Sequence, residues 1–565
     1  MTKGSEPEEY DALIVGVGAS GSVFCKELAK AGLEVLALDA GPYLKSIGPT
    51  GRLLTPNPNF RDSNDEVKYS LRRALMWNEP ETWRSMANED AVLTTPGLRH
   101  RCVGGPLVYA GQALRFHESD FREKSESGAP KGTGVEDWPI SYADLEPYYE
   151  KAEFELGVSG KKGADPFEAP RKNEFPFPPL EEDYNSALFS ETCERLGYHP
   201  APTPLAILPR DHNGRGACNY CGNCQPYPCY VNAKASPLIT IIPQAEKTGL
   251  CHIRPFCYVT EVVVNRDGDA KGVKYLDKGG RRREARGKIV ILCNLGAYVA
   301  RLLLLSKSQI YPKGIGNNYD QVGKYIMGFG VCDVFGSFDH QLIHSERTGP
   351  LSIEHICDFD EDRPKNLHGQ DFIRGGCIHP GSAPLQGPIS SVLAMNPSDV
   401  PSWGEKYVDF VRKYFSKYTR LFAVCASMPC ESNFVDLDPN VTDSYGLPAL
   451  RTTFTRHKND DAMGAFIIEK SKEIVKEAGA SKTWVPYVQP QFDRKAQSGG
   501  LRMGKDPELS VVDPFCQVHG IYNLFTGGNG AFVTHSSHSP ALTIMALAYR
   551  TADHIISRWN KGDFI

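Results

Sequence analysis

The sequence predicts an α/β protein, a Rossmann-like nucleotide-binding domain carrying a second, α+β domain. Three observations predict it. The stretch from Tyr10 to Gly41 runs strand, glycine turn, helix, strand and acid in the order of a dinucleotide-binding βαβ unit. At 565 residues the chain is longer than one ordinary core accommodates. From Tyr325 to about Trp484 the pattern changes to short strands with glycine turns and one long helical stretch, Asp460 to Ala478.

In the first unit, Ala12 to Val15 is a short apolar run of the kind that forms a buried parallel strand. It breaks into Gly16, Gly18 and Gly21. Gly16 permits the tight turn, Gly18 lets backbone approach a pyrophosphate, and Gly21 lets the following helix pack closely on the strand. Amides at the helix start, with Ala19 and Ser20 among the contact residues, face the phosphates, and Ser22 to Ala31 forms the helix body. Gly32 breaks that helix. Val35 to Leu38 is the second strand, ending at Asp39 and Ala40, where the carboxylate is placed to accept ribose hydroxyls and disfavours a 2′-phosphate. The fingerprint leaves NAD and FAD equally open.

A net charge of −5 with 23% charged residues gives no basic footprint, so nucleic acid is not an expected partner. The chain has no apolar run long enough to span a bilayer, and its first residues, MTKGSEPEEY, lack an apolar signal core. No direct membrane span is expected, and taken alone the chain reads as cytoplasmic. There are 16 cysteines, four of them within residues 218–229, and that clustering points to metal rather than to a disulfide scaffold.

Residues 51–90 are polar and irregular, and read as surface loops with a helix near Glu66 to Leu75 and no chemistry. Then come Val103, Gly104 and Gly105, followed by Arg115-Phe116 and Trp138-Pro139. Paired glycines after a small apolar residue let a flat ring lie against bare backbone, as an isoalloxazine would. The order of these motifs resembles the glucose-methanol-choline (GMC) flavin oxidoreductases, above all the sugar and gluconate dehydrogenase branch. The residues that carry the likeness are Val103 to Gly105, Arg115 and Phe116, Asp137 to Glu153, and Leu156 to Val158.

The resemblance implies FAD as the nucleotide, with the backbone near Val259 touching the adenine. Some relatives attach flavin through a histidine at the position of Tyr109, so no histidyl link is expected there. It also implies a division of the chain. The FAD-binding domain takes 1–165, 236–325 and 495–565, a covering segment takes 166–235, and the substrate-binding domain takes 326–494.

The covering segment carries Cys218, Cys221, Cys224 and Cys229. Thiolates two residues apart in one run wrap a compact iron–sulfur centre, whereas structural zinc takes two knuckles separated by a longer loop. A zinc knuckle or a redox dithiol is the alternative. The spacing departs from the bacterial ferredoxin run in having four residues before the last cysteine and no proline after it. The resembled branch has this motif almost residue for residue, which implies a [3Fe-4S] cluster.

Further strands are expected at Cys257 to Val264, Gly272 to Leu276, Lys288 to Cys293, Gly328 to Phe338 and Phe372 to Ile378, with helices at Asn185 to Leu196 and Asn294 to Leu305.

The chemical end is Leu501 to Asp513, then Asn523 to Ala531, then Ser536 to Ala548, with Asn529, Gly530 and Leu542 as cofactor contacts. A small-residue turn feeding a helix at Pro540 aims a positive dipole end at the flavin pyrimidine. Alcohol oxidation also needs a base for the hydroxyl proton. The resemblance puts that base three residues before the first glycine of a Gly pair, with Asn or His on the final turn. Here the pair is Gly499-Gly500, so those positions hold Ala496 and Ser539. Ala496 cannot move a proton. His535 and His538 share the terminal turn with Ser539, and a neutral imidazole there could titrate usefully. These three are the expected catalytic residues; Asp493 is a fallback base and His519 is structural.

The expected function is a FAD-dependent dehydrogenase that oxidises a hydroxyl of a sugar, polyol or glycoside and sends electrons through the cluster to a non-oxygen acceptor. A small subunit and a haem or quinone acceptor are the partners that the resemblance implies, and co-export with a signal-bearing partner would make the enzyme periplasmic. The alternative is a GMC-fold flavoprotein with a reassigned or inactivated site, motivated by Ala496.

Overall fold

A computed structural model of the chain describes residues 8–44, 79–94, 101–105, 109–221, 224, 229, 231–328, 330–339, 349–350, 352–360, 372–381, 396–414, 417–486, 491–492 and 497–564. The helix expected over Glu66 to Leu75, and both Ala496 and Asp493, lie outside the described residues.

The chain is organised on a twisted sheet whose parallel part runs in the order Cys251–Arg254, Val35–Leu38, Glu9–Val15, Arg282–Leu292, Leu524–Thr526. Ala12, Leu13 and Ile14 are wholly buried, because helices cover the sheet and both side-chain faces point into protein. Helix Ala19–Lys30 packs against the C-terminal helix Ala541–Asn560, which in turn packs against Tyr142–Leu156. The last of these starts at a capping box in which Ser141 and Asp144 satisfy each other's amides, and ends at Gly157 in the left-handed region. The long strand Arg282–Leu292 leaves this layer at its N-terminal half and forms an antiparallel ribbon with Ala270–Leu276 and Tyr258–Val264.

The second sheet is antiparallel, in the order Gly376–Gly381, Tyr418–Cys425, Gly330–Ser337, Lys482–Trp484. Cys332 and Val334, with Leu421, Ala423 and Cys425, recur every second residue and turn one face to helix Lys458–Glu477. That helix answers with Met463, Ile467, Ile474 and Val475, spaced to share one stripe.

A third sheet was not expected. Glu81–Arg84 pairs in parallel with Pro448–Thr453, flanked by Val92–Thr94 and Phe434–Thr442. Residues 79–84 are therefore not surface loop: Thr82 is buried and donates to the Asp438 carboxylate at 2.6 Å. Four residues flanked by proline and serine carry no periodic signal, and their partner strand lies hundreds of residues downstream.

Candidate functional site

The turn between Glu9–Val15 and Ala19–Lys30 forms one wall of a cavity of about 190 Å³. Gly16, Gly18, Asp39, Ala40, Gly105 and Val259 all line it. The three fingerprint glycines do different work. A Cβ on Gly21 would sit 2.0 Å from the Gly16 carbonyl oxygen, so its bareness serves packing, whereas a Cβ on Gly18 would meet nothing and point into open space. Asp39 is buried at the strand end, where its two oxygens accept the amides of Val17 and Gly41, each at 2.8 Å. Burial raises its pKa and the two amides oppose that rise.

The pair Gly104-Gly105 meets protein where its side chains would stand, while Gly105 also lines the nucleotide cavity. A Cβ on Gly104 would lie 2.5 Å from the Leu238 Cβ, and one on Gly105 would lie 2.8 Å from the Gly18 Cα. Both residues are glycine because other protein backbone and side chain already fill the space.

The terminal turn is held by Trp138, whose indole donates to Thr534 at 2.7 Å, and by Thr534, which donates to the Asp120 carbonyl at 3.0 Å. Residues 531–538 are buried, and Ser539 is the first to be partly exposed. Asn529 spends its side chain on protein: its amide donates to the Gln497 carbonyl at 2.5 Å and its oxygen accepts the Gly296 amide at 3.3 Å. Gly530 packs face to face with Gly296, and Leu542 is fully buried in the first turn of the last helix.

The two histidines differ. His535 Nδ1 lies 2.6 Å from the Ser536 carbonyl oxygen, so Nδ1 carries the proton and Nε2 is the acceptor in the neutral ring. His538 Nδ1 donates to the Arg115 carbonyl at 2.6 Å, while its Nε2 lies 3.2 Å from Asp360. Burial disfavours the cation there, but the charge and hydrogen bond of Asp360, together with those of Cys357, outweigh it and hold the His538 pKa well above its ordinary value. His538 is therefore not the free imidazole expected of it: the ring is paired with the Asp360 carboxylate, which favours its protonated form. His519 is structural, with Nε2 at 2.9 Å from the Ser510 hydroxyl.

The four cysteines of residues 218–229 are free thiols, and Cys218, Cys224 and Cys229 pack beside a small apolar cluster of Leu180, Leu205, Ile207 and Ala233. Among the described residues, their sulfurs are not in any group whose ligand atoms all lie within 4.8 Å of one another. Burial pushes the Cys218 thiol up to about 12, with Cys221 and Cys229 close enough to add to the rise. Lys234 is buried beside them; its ammonium donates to the Tyr109 carbonyl at 2.8 Å and to the Cys224 carbonyl.

Residues 10–325 match the N-terminal GMC oxidoreductase family model and residues 429–548 match the C-terminal one. The chain belongs to the GMC oxidoreductase family. Gluconate 2-dehydrogenase flavoprotein of Pantoea cypripedii is 28% identical, covering 100% of this chain and 96% of the relative. A 2-methyl-1,2-propanediol dehydrogenase of Mycolicibacterium austroafricanum is 29% identical over 98% of this chain and 96% of its own. The fructose dehydrogenase large subunit of Gluconobacter japonicus is 26% identical over 99% and 100%. Among solved structures, formate oxidase superposes with a TM-score of 0.64 at 15% identity, covering 99% of this chain and 100% of that one, which shows the shared fold.

The cofactor of this GMC oxidoreductase is FAD. The cavity fits the nucleotide: Gly18 is open to it, Arg101 and Arg301 line it, and the buried Asn294 Oδ1, also in its wall, has no hydrogen-bond partner among the described residues. Sequence reasoning missed Asn294, Arg101 and Arg301. Arg301 is anchored by Asp443 at 2.7 Å and by Tyr258 at 2.7 Å, partners from two other segments that no local spacing links. Among the described residues no helix is long and apolar enough to cross a membrane.

Proposed function

We propose that this GMC oxidoreductase is a dehydrogenase that converts a hydroxyl of a sugar, polyol or glycoside to a carbonyl and delivers the electrons to an acceptor other than oxygen. FAD, when bound, supplies two-electron oxidation of the carbinol carbon, and an iron–sulfur cluster on Cys218, Cys221, Cys224 and Cys229 would supply a one-electron exit. The observation that carries the reading is the Lys234 ammonium, which joins the Tyr109 backbone to the cysteine loop. Tyr109 follows Gly105 closely in sequence, and Gly105 lines the nucleotide cavity.

The relatives support the substrate class, since they are named for gluconate, a propanediol and fructose. One of them is named as a large subunit, which supports a smaller partner subunit; co-export with a signal-bearing partner would place the enzyme in the periplasm.

In this reading the chain's own groups divide the work. Gly16, Gly18, Ala19, Ser20, Asp39, Ala40 and Val259 hold the nucleotide. The partly exposed Ser539 orients the reacting hydroxyl by hydrogen bonding. His535, whose Nδ1 proton is committed to the Ser536 carbonyl, accepts the hydroxyl proton at Nε2. His538 is a positioning residue that fixes the turn between Arg115 and Asp360. The divisions at 1–165, 166–235, 236–325, 326–494 and 495–565 are proposed as the domain boundaries.

The test is anaerobic mixing of purified protein with a panel of sugars, polyols and glycosides, followed by visible and EPR spectra. Bleaching of the flavin band is expected, with loss of the EPR signal that an oxidised [3Fe-4S] cluster gives as it takes up an electron; protein free of iron and sulfide, or flavin that no member of the panel bleaches, overturns the proposal. The second reading, a reassigned site, is favoured by alanine at position 496. Ala496→His separates the two: a large gain in dye reduction marks an inactivated dehydrogenase, and no gain marks a reassigned site.

A further inference from the structure

A second group of metal-ligating side chains lies away from the cysteine loop. His117, Cys357, Asp360 and His538 are each at most 4% exposed, and their ligand atoms all lie within 4.8 Å of one another. His117 Nε2 is 2.8 Å and His538 Nε2 3.2 Å from the same carboxylate oxygen of Asp360, and Cys357 Sγ is 3.7 Å from His538 Nε2. Ligand bonds of about 2.0–2.3 Å in a tetrahedron place donor atoms roughly 3.3–3.7 Å apart, which is close to this spacing.

The surroundings suit a cation. His538 donates its other ring nitrogen to the Arg115 carbonyl, the outer contact that ligating histidines commonly make. Cys357 and Asp360 stand three apart in a turn closed by the Asp360 amide on the Cys357 carbonyl at 3.1 Å, so both face one point. On binding, the ion displaces the ring proton that His538 shares with Asp360 and the Cys357 thiol proton, leaving a thiolate, a carboxylate and two neutral imidazoles whose two negative charges a divalent ion cancels in a space that excludes water.

We propose that His117 Nε2, His538 Nε2, Asp360 and Cys357 Sγ form a closed site for one divalent cation of the zinc type. The ligands come from three places: the segment after Arg115-Phe116, the Cys357–Asp360 turn beside the second sheet, and the terminal turn next to Ser539. The ion therefore clips the terminal turn to the rest of the active-site wall. The proposal does not rest on the dehydrogenase reading. Cys377 Sγ lies 3.1 Å from Cys357 Sγ, so a disulfide between the two is the competing state that the test must separate.

The test uses the full-length flavin-loaded protein with Cys218, Cys221, Cys224 and Cys229 changed to alanine, which removes the other thiol group. It is stripped with a chelator and reloaded with Zn(II) or Co(II) alone. About one zinc per chain is expected, falling roughly tenfold or more in Asp360→Asn and in His117→Ala that retain flavin. If those variants do not fold, zinc X-ray absorption on the parent protein decides, with one sulfur and three nitrogen or oxygen neighbours expected. Cobalt should show a thiolate charge-transfer band that Cys357→Ser abolishes. Folded parent protein that takes up no zinc or cobalt, a bound zinc without a sulfur neighbour, or Cys357 recovered in a disulfide with Cys377 would overturn the site.

Discussion

Lys234 donates to the backbone carbonyl of Tyr109 at 2.8 Å across a separation of 125 residues, and the same ammonium reaches the carbonyl of Cys224. Burial lowers the Lys234 pKa, and the neighbouring Cys224, Cys229 and Cys221 oppose that fall in part.

Lys234→Met should therefore loosen the cysteine loop without emptying the nucleotide cavity. It leaves two carbonyl oxygens short of a donor, at a cost of about 1–3 kcal/mol each where they are buried. The expected outcome is a severalfold fall in iron and labile sulfide per flavin, read by metal analysis and visible absorbance. An unchanged ratio would contradict the role.

The fingerprint glycines should separate cofactor binding from folding. Gly18→Ala meets no protein atom, so melting of the flavin-free protein should shift little while FAD occupancy drops sharply. Gly21→Ala drives a Cβ to 2.0 Å from the Gly16 oxygen and should instead lower the melting temperature or prevent soluble expression. Calorimetry and the flavin to protein ratio distinguish the two.

His535→Gln should slow flavin reduction by about 10²-fold or more while leaving FAD bound, because glutamine can hold a hydrogen bond but cannot take the proton. Stopped-flow reduction with a saturating substrate measures it. A rate equal to wild type would remove His535 as the base.

Asp460 makes stability depend on pH. Burial raises its pKa from 3.8 to about 7, against the amides of Met428 and His457. The folded state thus binds a proton that the unfolded state releases, so stability is full below about pH 4 and falls as pH rises toward 7. Asp460→Asn keeps an acceptor for the Met428 amide and should flatten that slope in melting curves taken from pH 4 to 8, within which wild type should lose stability.

What the sequence determined by itself was local. Gly16, Gly18 and Gly21 with Asp39, and the helix following Pro540, announce themselves, because a turn or a helix start is written within a few neighbouring residues, and the crowding of four cysteines into residues 218–229 is likewise local. Boundaries moved by up to six residues: helix Ala19–Lys30 begins at the fingerprint rather than after it, Glu9–Val15 starts earlier than its apolar run, and the strand expected from Lys288 begins at Arg282.

Only the tertiary structure decided the rest. Glu81–Arg84 is a strand because Pro448–Thr453 lies beside it, and Gly104 is bare because Leu238 occupies its space. His538 is not a free ring because Asp360, far upstream in the chain, is folded against it at 3.2 Å. Charge state, burial and convergence of ligands depend on through-space neighbours, and a linear pattern records only those that are also near in the chain.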